Sequence, residues 1–352
     1  MITRLIYYKT LFIAFLLVAS NAMADDGAMV GWEAQKTKKV IRTYQVSSRD
    51  ALSIDNKYGS VTVNTWDKSE FRVEVTITAY EDNEESAQQQ LDRVSISDSK
   101  VGNEVKFVTN IESKGNWGRQ RSSGGKQGLE INYVVNMPKS NPLSISNKYG
   151  ATIIPDFNGA LSINESYGSF SGGKLNSSEN AIIVKYGSAT IESIKKGNLD
   201  ISYSKLILQK ADDLTLAHRY GSLELGEVNN FTANIDYSSI RINAINQSGN
   251  INTKYSSGIK LLNVPKTLKS LAINSAYSGV NLNFDDNATF DVAIDVSYGD
   301  FGYDKDKGAG ISKVGSDDKD WKPSKSYSGR YGTGASNGKI AISVKYGSVR
   351  FN

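Results

Sequence analysis

Apolar and polar residues alternate in short arms along most of the chain, and the alternation slips by one position at a recurring tyrosine. In one unit Phe231, Ala233 and Ile235 share a face with Tyr237, and after two serines the alternation resumes out of phase at Ile240. A period of two is typical of a strand with one buried face. The slip predicts a bend after the tyrosine, with the apolar side, tyrosine included, facing inward on both arms.

The tyrosine belongs to a Tyr-Gly-Ser motif, or a close variant, that returns about every 17 to 22 residues. A short fixed period is typical of coiled repeat proteins. We therefore predict an all-β, single-chain β-solenoid, a parallel β-helix expected to be right-handed, with one coil per repeat. Glycine after tyrosine would supply a positive φ at the bend. Stacked coils would place these tyrosines in one ladder: Tyr58, Tyr149, Tyr167, Tyr186, Tyr203, Tyr220, Tyr237, Tyr255, Tyr277, Tyr298 and Tyr346. Tyr331 is a further copy of the motif.

The pattern divides the chain into four parts. A basic start, an apolar run and Ala22-Met23-Ala24 predict a signal peptide over 1–24. A flexible lead is expected over 25–40, then a β-rich region over 41–142 with a helix near 81–93 and a loop over 113–128. The repeat array follows over 143–352, interrupted by an insertion at 304–338 and closed by the unit around Tyr346. No later apolar stretch is long enough to predict a membrane span.

The opening of this β-rich region, from Ser53-Ile54-Asp55-Asn56-Lys57-Tyr58-Gly59-Ser60 to Asn64-Thr65-Trp66-Asp67-Lys68, resembles the start of bacterial putative-adhesin β-solenoid domains, frequent in Bacteroidetes. The helix near 81–93, the Met137-Pro138-Lys139 segment and the Tyr-Gly units match as well, over roughly 40–352. The resemblance implies an exported envelope or surface β-solenoid. It carries over no catalytic residues.

Composition removes several kinds of chemistry. The chain has no cysteine and one histidine, His218, which falls on a predicted inward position and is interpreted as a core residue. A metal site built from several His or Cys is therefore excluded, and no cofactor is predicted. The 41 Lys+Arg and 37 Asp+Glu become 39 − 37 = +2 once 1–24 is removed. Such a balance does not favour nucleic acid as a partner.

The candidate ligand contacts are basic or aromatic. The residue before the tyrosine is often a cation and is predicted to point outward. These cations could bind acidic glycans or lipopolysaccharide phosphates, or they could form a solubilising face that discourages pairing with other chains. Ser166, Ser202, Asp236, Ala276 and Ser297 interrupt this stripe. Exposed aromatics on the two long loops, Tyr327 and Tyr331 among them, are alternatives if those loops are ordered. The candidates are Lys148, Lys185, Arg219, Lys254, Trp117 and Trp321.

Three functions remain open at this point. The first is an exported, non-catalytic adhesin or envelope scaffold that binds glycans, envelope components or surface proteins, in the periplasm, at the outer membrane or outside the cell. The second is a β-helix lyase or hydrolase acting on acidic polysaccharide, for which the pairs Asp212-Asp213 and Asp285-Asp286 are the nearest candidates. They fall at predicted turns, which favours a solvated role. The third is a structural element that self-assembles through uncapped ends.

Overall fold

The computed structural model describes residues 34–112, 128–314 and 323–352. Within them the protein is all-β: 23 strands form one sheet with a single helix. The elements are β1 (Ala34–Gln45), β2 (Ala51–Lys57), β3 (Val61–Trp66), β4 (Glu70–Glu81), α1 (Glu84–Asp92), β5 (Val94–Val101), β6 (Glu104–Ile111), β7 (Gly128–Pro138), β8 (Leu143–Lys148), β9 (Ala151–Ile154), β10 (Leu161–Ser166), β11 (Ser169–Leu175), β12 (Asn180–Lys185), β13 (Ser188–Ser202), β14 (Lys205–Lys254), β15 (Ile259–Val264), β16 (Ser270–Ala276), β17 (Val280–Phe284), β18 (Phe290–Ser297), β19 (Phe301–Gly302), β20 (Gly310–Val314), β21 (Ser324–Tyr331), β22 (Gly338–Lys345) and β23 (Val349–Phe351).

The segments that precede the repeated tyrosines, which we call the first arms, pair with one another in parallel. Their order is β2, β8, β10, β12, β13, β14, β16, β22 and β18. Strands β13 and β14 are long and include both segments that precede a tyrosine and segments that follow one. Equivalent residues of successive repeats face each other, as Ile145, Ile163 and Ile182 do. The repeat length therefore sets the register, because a slip of one residue would turn every apolar side chain outward.

The strands that follow the tyrosines, the second arms, also pair in parallel. Their order is β3, β9, β11, β13, β14, β15, β17, β23 and β19. Inward residues of both arms, such as Leu199 and Leu206, are almost completely buried in one continuous hydrophobic core. We call each first arm, its tyrosine and its second arm a rung.

Five strands cover the first rung: β7 and β6 pair with it in parallel, and β4, β1 and β5 add outer pairings that are antiparallel. β7 lies against β3, β4 against β7, and β1 against β4, while β6 covers β2 and β5 covers β6. The predicted helix is confirmed as α1, whose Asn83 side chain accepts a hydrogen bond from the Ser86 amide at 2.8 Å. Ala87 and Leu91 are its buried residues. Edge strand β1 carries Lys36, Lys38, Lys39 and Arg42, charges that discourage pairing with another chain.

The C-terminal strands take a position that chain order does not predict. β22 lies between β16 and β18, and β23 lies between β17 and β19. The rung of Tyr346 therefore fills a place that the chain left vacant between the rungs of Tyr277 and Tyr298. The expectation that this unit closes the array at its end was wrong.

Two segments expected to be irregular are ordered strands where the structure describes them. Residues 34–40 of the predicted flexible lead belong to β1. In the insertion 304–338, β21 pairs antiparallel with β18, and β20 with β21, so this segment covers the last rung. Tyr331, an expected exposed contact, is fully buried against Phe284 and Phe351 at ring-centroid distances of 4.7 and 5.3 Å. The described part of the insertion is thus tied to the core by the packing of Tyr331.

Three predictions lie outside the described residues: the signal peptide, the loop 113–127 with Trp117, and Trp321. Among the described residues, no helix has the length and apolar character needed to span a bilayer.

Candidate binding face

Eleven tyrosine rings form one uninterrupted stack along the repeats. Adjacent ring centroids lie 4.7–5.2 Å apart, with interplanar angles of 5–20°. In spatial order the stack is Tyr58, Tyr149, Tyr167, Tyr186, Tyr203, Tyr220, Tyr237, Tyr255, Tyr277, Tyr346 and Tyr298. All eleven ladder residues of the sequence analysis are therefore in contact.

The tyrosine, rather than the glycine that follows it, carries the unusual backbone. All eleven have φ between 52° and 62°, whereas none of the glycines directly after them has a positive φ. A left-handed conformation costs about 1–2 kcal/mol for a residue with a Cβ. It also reverses the strand parity, which turns the ring out of the core. The tyrosines are 40–50% exposed, so the expectation that they face inward was wrong.

Glycine is needed after the tyrosine because neighbouring rungs approach closely there. A Cβ on Gly168 would lie 1.8 Å from the Gly150 carbonyl oxygen. Other rungs have serine at this position, and its hydroxyl bridges to the next rung. The Ser204 hydroxyl accepts a hydrogen bond from the Gly187 amide at 3.0 Å, and that of Ser278 accepts from the Ser256 amide at 2.8 Å.

The stacking determines what the tyrosines present to a ligand. Each internal ring has both faces covered by its neighbours, so the half-exposed part consists of ring edges and phenolic groups. Sugars that pack on aromatic residues need a free ring face, which the internal rings do not offer. The stack is therefore a ridge lined with hydroxyl groups along one border of the first arms.

Cations line this ridge. Lys148, Lys185, Arg219 and Lys254 are exposed and stand one residue before a stacked tyrosine, as the sequence predicted. The Lys148 ammonium lies 4.9 Å from the ring centroid of Tyr149 and 5.7 Å from that of Tyr167. Cation–π attraction therefore holds this charge over the ridge. Arg330 does not join the column: it lies on β21 and forms an ion pair with Asp291 at 3.0 Å.

A groove that was not predicted from the sequence runs parallel to the ridge on the same face. The residue five positions before every stacked tyrosine is small. Along the rungs these residues are Ser53, Ser144, Ser162, Ala181, Asn198, Thr215, Thr232, Asn250, Ala272, Ala341 and Ala293. They leave depressions of 620 Å³ near the N-terminal rungs and 450 Å³ near the C-terminal rungs. The signal was present as a column of small residues in register with the tyrosines.

Polar side chains lie between the groove and the ridge. Three positions before the tyrosine, Asn274 donates to Asn252 and Asn252 donates to Asn234, each at 3.1 Å. A depression of 480 Å³ adjoins them and reaches Lys254. We call the outward residues one, three and five positions before the stacked tyrosines the first-arm face. Along the eleven rungs it carries short side chains five positions before the tyrosine and cations on six rungs. Three positions before the tyrosine it carries four amides but also three aspartates, Asp55, Asp200 and Asp295.

A buried polar column lies directly behind the ridge at the N-terminal end. Two positions before the tyrosines, Asn56 donates to Asn147 at 3.2 Å, and Glu165 occupies the same column. Thr152 donates to Glu165 Oε2 at 2.6 Å, while Oε1 makes no hydrogen bond of standard geometry to the described residues. Burial raises the pKa of Glu165 to about 7, against the lowering effect of the Thr152 hydrogen bond.

His218 continues this column and is fully buried, as the sequence predicted. Its Nδ1 lies 2.9 Å from the Ser238 hydroxyl, and burial lowers its pKa. The described part of the chain contains no cluster of three or more His, Cys, Asp or Glu positioned to hold a metal ion. Asp212 and Asp213 are exposed and accept hydrogen bonds from Asn229 and Asn230 of the next rung, at 3.1 and 2.8 Å. This pair therefore supports a turn.

Comparison with known proteins gives structural matches. A putative adhesin from Parabacteroides distasonis is 10% identical, with a TM-score of 0.41 and 90% of this chain and 97% of that chain covered. A putative adhesin from Parabacteroides merdae is 10% identical, with a TM-score of 0.37 and coverages of 90% and 96%. A putative cell adhesion protein from Clostridium sporogenes is 7% identical, with a TM-score of 0.22 and coverages of 90% and 99%. No protein-family model and no curated protein matches the chain. All three of these proteins are named for adhesion.

Proposed function

We propose that this protein is a non-catalytic β-solenoid of the bacterial envelope or cell surface that binds an extended anionic glycan along its first-arm face. The observation that carries the proposal is the continuity of this face. A short side chain stands five positions before every one of the eleven tyrosines of the unbroken stack, and a cation stands one position before six of them. A linear polymer is the kind of ligand that meets one set of contacts repeatedly along a rod.

The chemistry of the face suits a sugar acid. Lys148 and Lys185 are exposed ammonium groups for carboxylates, and the amides of Asn234, Asn252 and Asn274 are donors and acceptors for hydroxyls. The groove gives the sugar rings a shallow depression over short side chains, and near the N-terminal rungs Glu104, Glu179 and Lys196 line it as well. Binding without turnover is supported by Ser146 and Asn164. They occupy the position three residues before the tyrosine in the rungs of Lys148 and Ser166, and neither side chain is a carboxylate.

Filling the groove tests the proposal. Ala181 is exposed, lines the 620 Å³ depression and makes no contribution to the core, so Ala181→Phe should block the groove without unfolding the rungs. Thr190 is exposed on the second arm of the same rung, away from the groove, and Thr190→Phe is the matched control.

The measurement is retention of the exported protein on an array of anionic and neutral glycans and on envelope extracts. We expect wild-type protein and Thr190→Phe to bind anionic glycans, and Ala181→Phe to bind at least about tenfold more weakly. Equal binding by all three proteins would remove the groove from the proposal, and binding only to a protein component would replace the glycan as ligand. Release of unsaturated or reducing sugar ends would instead identify the protein as a lyase or hydrolase.

A further inference from the structure

The cations beside the tyrosine ridge alternate with uncharged or acidic residues when they are followed in spatial order. β-Pairing places Lys148, Ser166, Lys185, Ser202 and Arg219 in register on successive rungs. The tyrosine stack then carries the column through the rungs of Asp236 and Lys254. Pairing continues it through Ala276, Lys345 and Ser297. From Lys148 onward, every second rung bears a cation.

Chain order shows the alternation only as far as Ala276. Along the sequence Lys254 is followed by Ala276 and then by Ser297, so the stripe seems to end. Only the placement of the Tyr346 rung between those of Tyr277 and Tyr298 brings Lys345 into the vacant position and restores the alternation. The C-terminal rung thus completes the charge pattern as well as the sheet.

The spacing of these charges is fixed by the sheet. Parallel strands lie about 4.8 Å apart, so cations on alternate rungs are about 9–10 Å apart. That distance is close to a Debye length at physiological ionic strength, so each cation attracts its own counter-charge with little influence from the next. Lys345, like Lys148, is held near the ridge, with its ammonium 5.5 Å from the ring centroid of Tyr346.

Alternation also lowers repulsion between like charges on adjacent strands. Repulsion alone does not account for the pattern, because Lys57 and Lys148 are directly paired and both exposed. Asp236 stands at one of the intermediate rungs, where a ligand charge would be repelled. The intermediate positions are thus small or acidic along the whole alternating part of the column.

We infer that the first-arm face selects linear polysaccharides in which an acidic sugar alternates with an uncharged sugar, one sugar per rung. This inference rests on the proposed function and adds the charge spacing of the ligand. In such a polymer the carboxylates meet Lys148, Lys185, Arg219, Lys254 and Lys345, and the uncharged sugars pass the serine, aspartate and alanine rungs. A polymer with a charge on every sugar would place half of its carboxylates opposite positions without a cation.

The test compares three polymers of matched length with the exported protein: an alternating uronate–N-acetylhexosamine polysaccharide, a homopolymeric polyuronate, and inorganic polyphosphate. Binding is measured by calorimetry near physiological ionic strength. Three variants are used: Lys185→Ser removes an in-register cation, Ser202→Lys adds one between two others, and Lys260→Ser removes an exposed cation from the second arm. All three sites are at the surface, and circular dichroism checks that each variant is folded.

We expect the alternating polysaccharide to bind more tightly than the polyuronate. Lys185→Ser should weaken its binding roughly fivefold, the effect of one cation near an anionic surface, and Lys260→Ser should leave it unchanged. Ser202→Lys raises the net charge, yet it should shift preference toward the polyuronate. Two results would contradict the inference: the polyuronate or polyphosphate binding the wild type as tightly as the alternating polymer, or Ser202→Lys strengthening the binding of all three polymers equally. Either result would show that the protein binds anions in general and does not select a charge spacing. Failure of every anionic glycan to bind would remove the proposed function itself.

Discussion

Replacing one tyrosine in the middle of the stack measures what the ladder contributes to stability. Tyr203 has ring neighbours at 4.8 Å on both sides, Tyr186 and Tyr220. An aromatic pair contributes about 0.5–1.5 kcal/mol beyond its burial, so Tyr203→Ala should lose about 1–3 kcal/mol from two pairs. Alanine keeps a Cβ at a φ of 52°, so the backbone strain remains in the variant.

Companion substitutions separate stacking from backbone strain. Tyr203→Phe keeps both stacking contacts and should be nearly neutral. Tyr203→Asn loses them but tolerates the left-handed conformation, so it should be more stable than Tyr203→Ala by up to about 1 kcal/mol. Tyr58, at the end of the stack, has one ring contact, at 5.2 Å to Tyr149, and Tyr58→Ala should cost about half as much as Tyr203→Ala.

Amide hydrogen exchange is the suitable assay because repeat arrays open locally as well as globally. The Tyr203 amide donates to the Arg219 carbonyl at 2.8 Å and the Tyr186 amide to the Ser202 carbonyl at 3.1 Å. Both should exchange faster in Tyr203→Ala, and the urea midpoint should fall. If Tyr203→Ala exchanges as slowly as wild type, or if Tyr58→Ala costs as much as Tyr203→Ala, stacking does not offset the strain and our reasoning about the ladder is wrong.

Two further predictions concern the turn and the buried column. Gly168→Ala places a Cβ 1.8 Å from the Gly150 carbonyl oxygen and should lower the free energy of unfolding, measured by urea denaturation, by about 1–3 kcal/mol or more. Gly302→Ala is the control: its Cβ would have nothing within 4 Å, and it should change the free energy of unfolding by less than about 0.5 kcal/mol. Equal effects of the two variants would contradict the close approach of the rungs. Since the pKa of Glu165 rises from 4.5 to about 7 on folding, the folded protein favours the protonated carboxyl group. The stability that proton binding at Glu165 gives the folded protein is fully present below about pH 4.5 and is lost as the pH rises through 7. Glu165→Gln should therefore gain about 3 kcal/mol relative to wild type at pH 9 and little at pH 4, and a pH-independent difference between the two proteins would refute this assignment.

The sequence determines the repeat and its register, because period-two alternation and tyrosine spacing are local properties. It predicts α1 for the same reason, from Ala87 and Leu91 at helical spacing. The direction of the tyrosine rings was not predictable from alternation, since a positive φ at one residue reverses the parity that alternation assumes. Glycine was a natural candidate for that φ, but the contact between Gly168 and Gly150 gives it a steric role instead.

Long-range order explains the remaining differences. The β22 strand has the pattern of any first arm, so its sequence does not reveal which two strands flank it. Burial of Tyr331 depends on Phe284 of β17 and Phe351 of β23, which lie at least 20 residues away in the chain. The cationic residues were predicted individually. Their alternation from Lys148 to Ala276 is present in the sequence, and only its continuation through Lys345 depends on the rung order and required the structure.

Disulfide mapping of that rung order tests the arrangement most directly, since the chain contains no native cysteine. Ala276 and Lys345 are in register on adjacent strands, whereas Ala276 and Ser297 are separated by the Lys345 rung, about 9–10 Å, which is beyond the reach of a disulfide. The double variant Ala276→Cys/Lys345→Cys should form an intramolecular disulfide on mild oxidation, and Ala276→Cys/Ser297→Cys should stay reduced. Rapid bridging of the second pair and none of the first would show that the rungs follow chain order, and the cations would then not alternate beyond Ala276.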